Sequence, residues 1–280
     1  MHPIVNEIRE ALRGIYPDSE ALSLAKMLLV EAFGFSTLEL YGGKDKEISG
    51  NHRDVLDKML LRLLKNEPIQ YVLGKETFCG LEFEVNRNVL IPRPETRELV
   101  EWIVADRKAD ASCRILDIGT GSGCIAVSLA KRLPQAEVEA WDISEGALEV
   151  ARRNAERNGV KVLWGLQDVL AALPGSALYD VIVSNPPYIT EKEKQDMDAN
   201  VLDWEPSTAL FVPDADPLLF YRKIAGLGLS MLKSGGALYF EINRAYGSET
   251  VRMLEDLGYT QIELSKDEWG NDRMIKACKL

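Results

Sequence analysis

The segment Ser184-Asn-Pro-Pro-Tyr-Ile189 carries the clearest chemical signal in the sequence. Two successive prolines fix φ and remove two N–H donors, so the segment is stiff and its carbonyls are left to accept hydrogen bonds. A planar amide or exocyclic amino group suits such a site. Its two hydrogens would go to the Asn185 side-chain oxygen and the Pro186 carbonyl, with Pro187 stiffening the turn and Tyr188 supplying a planar face. Acceptors placed this way also stabilise positive charge growing on a nitrogen that is being alkylated, the mirror image of an oxyanion hole. No strong base is needed, because the alkylated nitrogen becomes acidic and sheds its own proton. A proline-stiffened turn without chemistry is the plainer alternative, and the residues upstream weigh against it.

Those residues are Arg114 to Ala130, RILDIGTGSGCIAVSLA. An apolar strand runs into Gly119, Thr120, Gly121, Ser122 and Gly123 and then into a helix. Glycines permit a tight turn and a close approach of ligand to backbone, and the helix start offers unpaired N–H groups. A dinucleotide fingerprint reads G-x-G-x-x-G, whereas here the third glycine comes one residue early and Cys124 takes the later position. Asp142 ends the second strand, where a carboxylate can accept both hydroxyls of a ribose. Asp168 follows the third strand and reads either as a partner for an adenine amino group or as a solvated loop residue.

These residues need a frame. From Pro3 to about Glu67, apolar residues recur at helical spacing (Leu22, Ala25, Leu29; Val55, Met59, Leu63), with breaks at Pro17, Gly34 and Gly42-Gly43, which predicts a small helical domain over 1–68. Alternation and β-formers between 69 and 90 predict a β-hairpin linker, with Glu82 to Val85 in strand and Asn86 to Asn88 as turn. From 91 to 280, strand-length apolar runs alternate with amphipathic stretches, as in a doubly wound α/β sheet. The predicted strands are 114–118, 137–142, 161–166, 180–184 and 236–242, then 262–265 and 273–278. The last two are separated by a loop too short for a helical crossover and so must run antiparallel. Trp141, Trp164 and the helix 218–232 read as core, and Trp204 as a candidate lid residue.

The chain has 280 residues, a net charge of −11, four scattered cysteines and two histidines. Without a C-x-x-C pair or a histidine cluster, neither a disulfide framework nor a metal site is expected. No apolar run approaches the roughly 20 residues of a membrane span. MHPIVNEIREAL lacks the basic end and apolar run of a secretory signal, so a cytoplasmic location is expected. Residues 1–88 hold 11 Lys and Arg against 14 Asp and Glu, a net of −3. The expected N-terminal domain therefore shows no net basic excess of the kind a nucleic-acid substrate would favour.

Taken together, Glu67-Pro-Ile-Gln-Tyr-Val-Leu-Gly74, Leu90-Ile-Pro-Arg-Pro-Glu-Thr96, the Gly119 to Gly123 loop, Asn185-Pro-Pro-Tyr188 and Glu205-Pro-x-x-Ala-Leu210 resemble the HemK/PrmC family of peptide chain release factor glutamine methyltransferases, over nearly the whole chain. The resemblance implies a seven-stranded Rossmann-like S-adenosylmethionine methyltransferase sheet with its last strand antiparallel, a helical substrate-recognition domain and a hairpin linker. It implies S-adenosyl-L-methionine as cofactor, bound by Gly119 to Gly123, Asp142, Asp168 and Asn185. It implies a release factor as protein substrate, with the target glutamine of a Gly-Gly-Gln loop held by Asn185, Pro186, Pro187 and Tyr188, among them Asn185, Pro186 and Tyr188 as catalytic. A monomer without direct nucleic-acid or membrane binding is expected. Arg97 and Val169 depart from the family pattern: many relatives have an acidic residue at the first position, and some carry an aromatic residue beside the adenine at the second. Arg93 reads equally as a local anchor or as a substrate contact. The Asn-Pro-Pro-Tyr tetrapeptide is shared with amino-methyltransferases of adenine N6 or guanine N2 in nucleic acids, which keeps a nucleic-acid substrate as the alternative. A binding module that merely retains a cofactor pocket is a third reading.

Overall fold

A computed structural model describes residues 1–42, 48–107 and 112–280. The expected break at Gly43 lies outside the described residues. The chain divides into two compact units, one of Met1–Lys75 with Asp198–Trp204, the other of Glu76–Met197 with Glu205–Leu280.

The first unit is helical: α1 (Pro3–Ala11), α2 (Asp18–Phe33), α3 (Thr37–Gly42), α4 (Gly50–Leu63) and α5 (Ile69–Leu73). Its boundaries follow from local chemistry. The His2 side chain accepts from the Ile4 N–H to cap α1, and α2 ends at Gly34 in the left-handed region, φ 62°. Ile8, Leu12, Leu28, Leu29, Leu56 and Leu63 are fully buried between the helices. Val55, at helical spacing with Met59 and Leu63, is instead exposed. The buried Glu67 takes two hydrogen bonds from Arg62, whose guanidinium also donates to the Tyr71 and Val72 carbonyls at 2.8 and 3.1 Å and so closes α5. The hairpin reading from residue 69 is corrected here, since Ile69–Leu73 is a helix.

Next comes the hairpin β1 (Lys75–Phe78) and β2 (Leu81–Glu84), which belongs to the second unit from Glu76 on. Its turn is Cys79-Gly80, both with positive φ (50° and 75°), as the twist of a two-residue hairpin requires. Asn86 to Asn88, expected as the turn, instead lies beyond β2, where the Asn86 side chain accepts from the Asn88 N–H. Then follow α6 (Pro94–Asp106), β3 (Arg114–Ile118), α7 (Cys124–Arg132), β4 (Glu137–Asp142), α8 (Glu145–Arg157), β5 (Leu163–Leu166), β6 (Tyr179–Ser184) and β7 (Ile189–Thr190). After α9 (Ala199–Trp204), which groups with the helical unit, come β8 (Phe211–Val212), α10 (Leu219–Met231), β9 (Leu232–Glu241), α11 (Gly247–Asp256), β10 (Thr260–Lys266) and β11 (Asp272–Cys278).

Seven strands form one sheet in the order β10-β11-β9-β6-β3-β4-β5. Neighbours from β9 to β5 are parallel, and β11 runs antiparallel to both β9 and β10, as the short 267–271 loop demands. One face packs α6, α7 and α8 through residues such as Leu99, Val127 and Ala155. The other packs α10 and α11 through Tyr221, Ile224 and Leu254. β9 begins four residues earlier than expected. Gly235 (φ 74°) and Gly236 form an irregularity in which a Cβ at 236 would meet the Lys233 carbonyl at 2.9 Å, so pairing with β6 shifts register there. Crossovers run one way from β3 and the other way from β6, and a crevice opens between their carboxyl ends, the usual ligand position in such sheets. Among the described residues no helix is long and apolar enough to cross a membrane.

Candidate active site

Both sequence signals converge on that crevice, a cavity of about 350 Å³ lined by Gly119 to Ser122, Asp142, Asp168, Asn185, Pro186 and Pro187, among others. At one end, the Gly119 and Thr120 N–H groups both donate to the Trp141 carbonyl, at 2.9 and 3.0 Å, which ties the glycine loop to the end of β4. Gly119 and Gly121 have φ of 75° and 55°, and a Cβ on either would meet nothing within 4 Å. Backbone there lies open to a ligand. Gly123, also left-handed, does a different job: its Cβ would press on Ala151 at 3.1 Å, so this glycine lets α7 pack on α8 and does not line the cavity.

Asp142 is fixed by two backbone donors, Gly121 N–H to Oδ2 and Ser144 N–H to Oδ1, each at 2.9 Å. Each oxygen keeps a lone pair for a further hydrogen, and burial pushes this carboxyl above its ordinary range. The residues thus fit the nucleoside part of the expected cofactor. Asp168 lies at the cavity wall with Oδ1 accepting the Leu170 N–H, and Val169 lines the same wall.

Behind the loop, Asp117 is fully buried. Its Oδ2 accepts from the Thr120 hydroxyl at 2.6 Å and the Ala126 N–H at 3.2 Å, whereas Oδ1 has no partner. Burial, reinforced by the nearby Asp142 charge, raises its pKa to about 7. Thr120 therefore spends its hydroxyl inward on Asp117. Burial also pushes the Cys124 thiol up to about 12, which leaves it protonated and inert.

At the other end, β6 delivers the Asn-Pro-Pro-Tyr segment. The Ser184 hydroxyl donates to the Ile118 carbonyl at 2.6 Å and pins the two strand ends together. Asn185 Nδ2 donates to the Thr96 hydroxyl at 3.2 Å, and Thr96 donates to Glu241 Oε2 at 2.6 Å. The Tyr188 hydroxyl donates to Glu241 Oε1 at 3.1 Å, and the Tyr188 carbonyl accepts from Asn243 Nδ2 at 3.0 Å. Burial raises the pKa of Glu241, opposed by the hydrogen bond from Thr96 and the charge of Arg273. Desolvation and the Glu241 charge both push the Tyr188 phenol far up, so it remains a donor.

Tyr188 is thus turned toward Glu241 and is not among the residues lining the cavity, whereas Asn185, Pro186 and Pro187 are. Arg93 does line it, with its guanidinium on Glu205 at 2.6 Å, while the other Glu205 oxygen accepts the Ile91 N–H at 3.1 Å. The Glu205 side chain is 1% exposed, so two separated sequence motifs meet at one buried carboxylate. Arg97 makes a long surface ion pair with Glu268 at 3.5 Å. Trp204 lies in α9 and does not line the cavity. Sequence reasoning assigned no role to Thr96, Glu205 or Glu241. Thr96 and Glu205 stood in two of the motifs that carry the resemblance, and Glu241 carried a local signal, a lone carboxylate in the apolar run Leu238-Tyr-Phe-Glu-Ile242 on an interior strand of the sheet.

Known proteins share this fold and sequence pattern. Residues 96–203 match the family model "Methyltransferase small domain", and residues 4–74 match "PrmC N-terminal domain". A methyltransferase from Pyrococcus furiosus shares the fold with a TM-score of 0.52 at 22% identity, over 80% of this chain and 98% of that one. A 16S rRNA N2 methyltransferase of T. thermophilus, solved with AdoMet and guanosine, does so with a TM-score of 0.52 at 18% identity, over 74% of this chain and 50% of that one. Fold and site together define an S-adenosylmethionine-dependent methyltransferase. The release factor glutamine methyltransferase of Bacteroides thetaiotaomicron is 52% identical over 279 residues, 99% of either chain, and that of Flavobacterium psychrophilum 45% identical over 270 residues, 95% of either chain. The chain belongs to the release factor glutamine methyltransferase family.

Proposed function

We propose that this protein methylates the N5 side-chain nitrogen of the glutamine in a release factor's Gly-Gly-Gln loop. The observation that carries the reading is that Asn185 and Pro186 line the same cavity as the glycine loop and Asp142, with the Asn185 NH₂ committed to Thr96 and its oxygen left to accept. When bound, S-adenosyl-L-methionine supplies an electrophilic methyl group and leaves as S-adenosyl-L-homocysteine. Asp142 and the Gly119 to Ser122 backbone would hold its nucleoside, with Asp168 beside the adenine.

An amide nitrogen is a poor nucleophile because its lone pair is shared with the carbonyl. Asn185 and Pro186 would accept its two hydrogens, fix its plane and aim it. Orientation of this kind can remove up to about 7 to 11 kcal/mol of barrier in favourable cases. As the N–C bond forms, the same oxygens face a nitrogen gaining positive charge. That nitrogen then loses one hydrogen as a proton to water, which restores the neutral amide.

A nucleic-acid substrate is less well supported, since the net charge is −11 and residues 1–88 carry a net of −3. A cytoplasmic monomer acting on a protein partner is the reading consistent with these features. The test is incubation with methyl-labelled S-adenosylmethionine and, separately, a release factor, the same factor with the Gly-Gly-Gln glutamine replaced, ribosomal RNA and DNA. Label on the intact factor alone is expected. Label on a nucleic acid would overturn the substrate.

A further inference from the structure

A carboxamide fits its slot in two ways that differ by exchange of oxygen and NH₂. For Asn185 the difference is functional. Oδ1 toward the cavity accepts from a substrate amide, whereas NH₂ toward the cavity sets donor against donor.

In this protein the choice is made by hydrogen bonds that all run one way. Glu241, 1% exposed at the end of β9, can only accept when ionised. It takes the hydrogen of the Thr96 hydroxyl at 2.6 Å and that of Tyr188 at 3.1 Å. With its single hydrogen committed, Thr96 Oγ1 can only accept, and the group 3.2 Å away must be the Asn185 NH₂. Oδ1 is then left on the cavity side.

We propose that Thr96 and Glu241 are positioning residues for the methyl transfer, holding the Asn185 carboxamide with Oδ1 toward the substrate and excluding the flipped orientation. The inference rests on the reading of Asn185 as acceptor for the substrate amide. It gives a role to the last residue of the Ile-Pro-Arg-Pro-Glu-Thr element, which reaches the site because α6 starts beside β9. In a Thr96→Val chain the Asn185 NH₂ loses its partner and turns toward the cavity, where water or substrate satisfies it. The competent fraction, and turnover with it, should fall roughly tenfold.

The experiment compares Thr96→Val, Thr96→Ser and Glu241→Gln with the parent chain. The readouts are kcat and KM on the release factor, S-adenosylmethionine affinity by calorimetry, and thermal melting. The expected result is a lowered kcat in Thr96→Val with cofactor affinity unchanged, kcat in Thr96→Ser within about threefold of the parent, and a loss in Glu241→Gln because an amide can donate to Thr96 and reverse the chain. In an Asn185→Ala background, Thr96→Val should cost nothing further. Parent-like kcat in Thr96→Val would refute the proposal. So would an equal loss in Thr96→Ser, or a loss that persists without Asn185, because either makes Thr96 a packing residue. Should Thr96→Val fail to fold, the Ser and Gln variants decide alone. A parent chain inert on the release factor overturns the functional reading and this inference together, whereas an active parent with an equally active Thr96→Val overturns this inference only.

Discussion

Replacing Asp117 with asparagine should stabilise the protein increasingly as the pH rises from about 4 to 7. Asp117 is fully buried behind the glycine loop with one oxygen unpartnered, and its pKa stands at about 7 against an ordinary 3.8. Below pH 4 the group is protonated in both folded and unfolded chains and imposes no penalty. Between about pH 4 and 7 the unfolded chain releases its proton while the folded chain retains it, so folding stability falls with rising pH. Above 7 both are ionised and the penalty levels off. At roughly 1.4 kcal/mol per pKa unit, the full cost is on the order of 4 kcal/mol. About 3 kcal/mol of it accrues between pH 4.5 and 7.5. Asparagine can accept from Thr120 and Ala126 as Asp117 does, and it never ionises, so its other effects form a pH-independent offset. For a unit of about 200 residues the differential corresponds to roughly 6 to 12 °C in Tm. Melting of both chains across this range, followed by circular dichroism or calorimetry, gives the difference curve directly. A difference that stays flat, or one that shrinks as the pH rises, would refute the account of Asp117 as a buried acid with a raised pKa.

Asn185→Ala should retain S-adenosylmethionine affinity yet lose on the order of 100-fold in turnover, by analogy with removal of one oxyanion-hole donor. Near-parent turnover would remove Asn185 from the chemistry. Asp142→Ala forfeits a charged acceptor already fixed by Gly121 and Ser144, so cofactor affinity should drop roughly 10- to 100-fold, read by calorimetry. Unchanged affinity would detach Asp142 from the ribose. Glu205→Ala strands the buried Ile91 N–H, which should cost about 1 to 3 kcal/mol in denaturant titration and lower turnover by loosening the Arg93 wall. Full stability with full turnover would show that the anchor has no consequence.

Several elements were legible because their signals are local. Apolar runs at 114–118 and 137–142 became strands at those same bounds, since strand length and flanking turns are written in consecutive residues. The antiparallel last pair followed from loop length alone. Local pattern failed where a neighbour decides. Ile69–Leu73 became a helix because Arg62, anchored on Glu67, closes its carbonyls. Lys161 and Val162 dropped out of β5, an edge strand whose one partner, β4, pairs it only from Leu163 on. At the site, glycine spacing, Asp142 and Asn-Pro-Pro-Tyr pointed to residues that the structure brings to one cavity, with Gly123 and Tyr188 not among its lining.

By itself, then, the sequence determined which backbone would be stiff or permissive and which groups could accept from a nucleoside or an amide, because φ restriction and lone pairs belong to residue types. Only the tertiary structure decided what holds those groups. Thr96 and Glu241 are 145 positions apart, as are no two residues whose meeting a local pattern could reveal, and their hydrogen bond exists because β9 lies beside β6 in the sheet while α6 starts over its end. Burial there removes competing water, so a single hydroxyl hydrogen suffices to settle which way an asparagine faces.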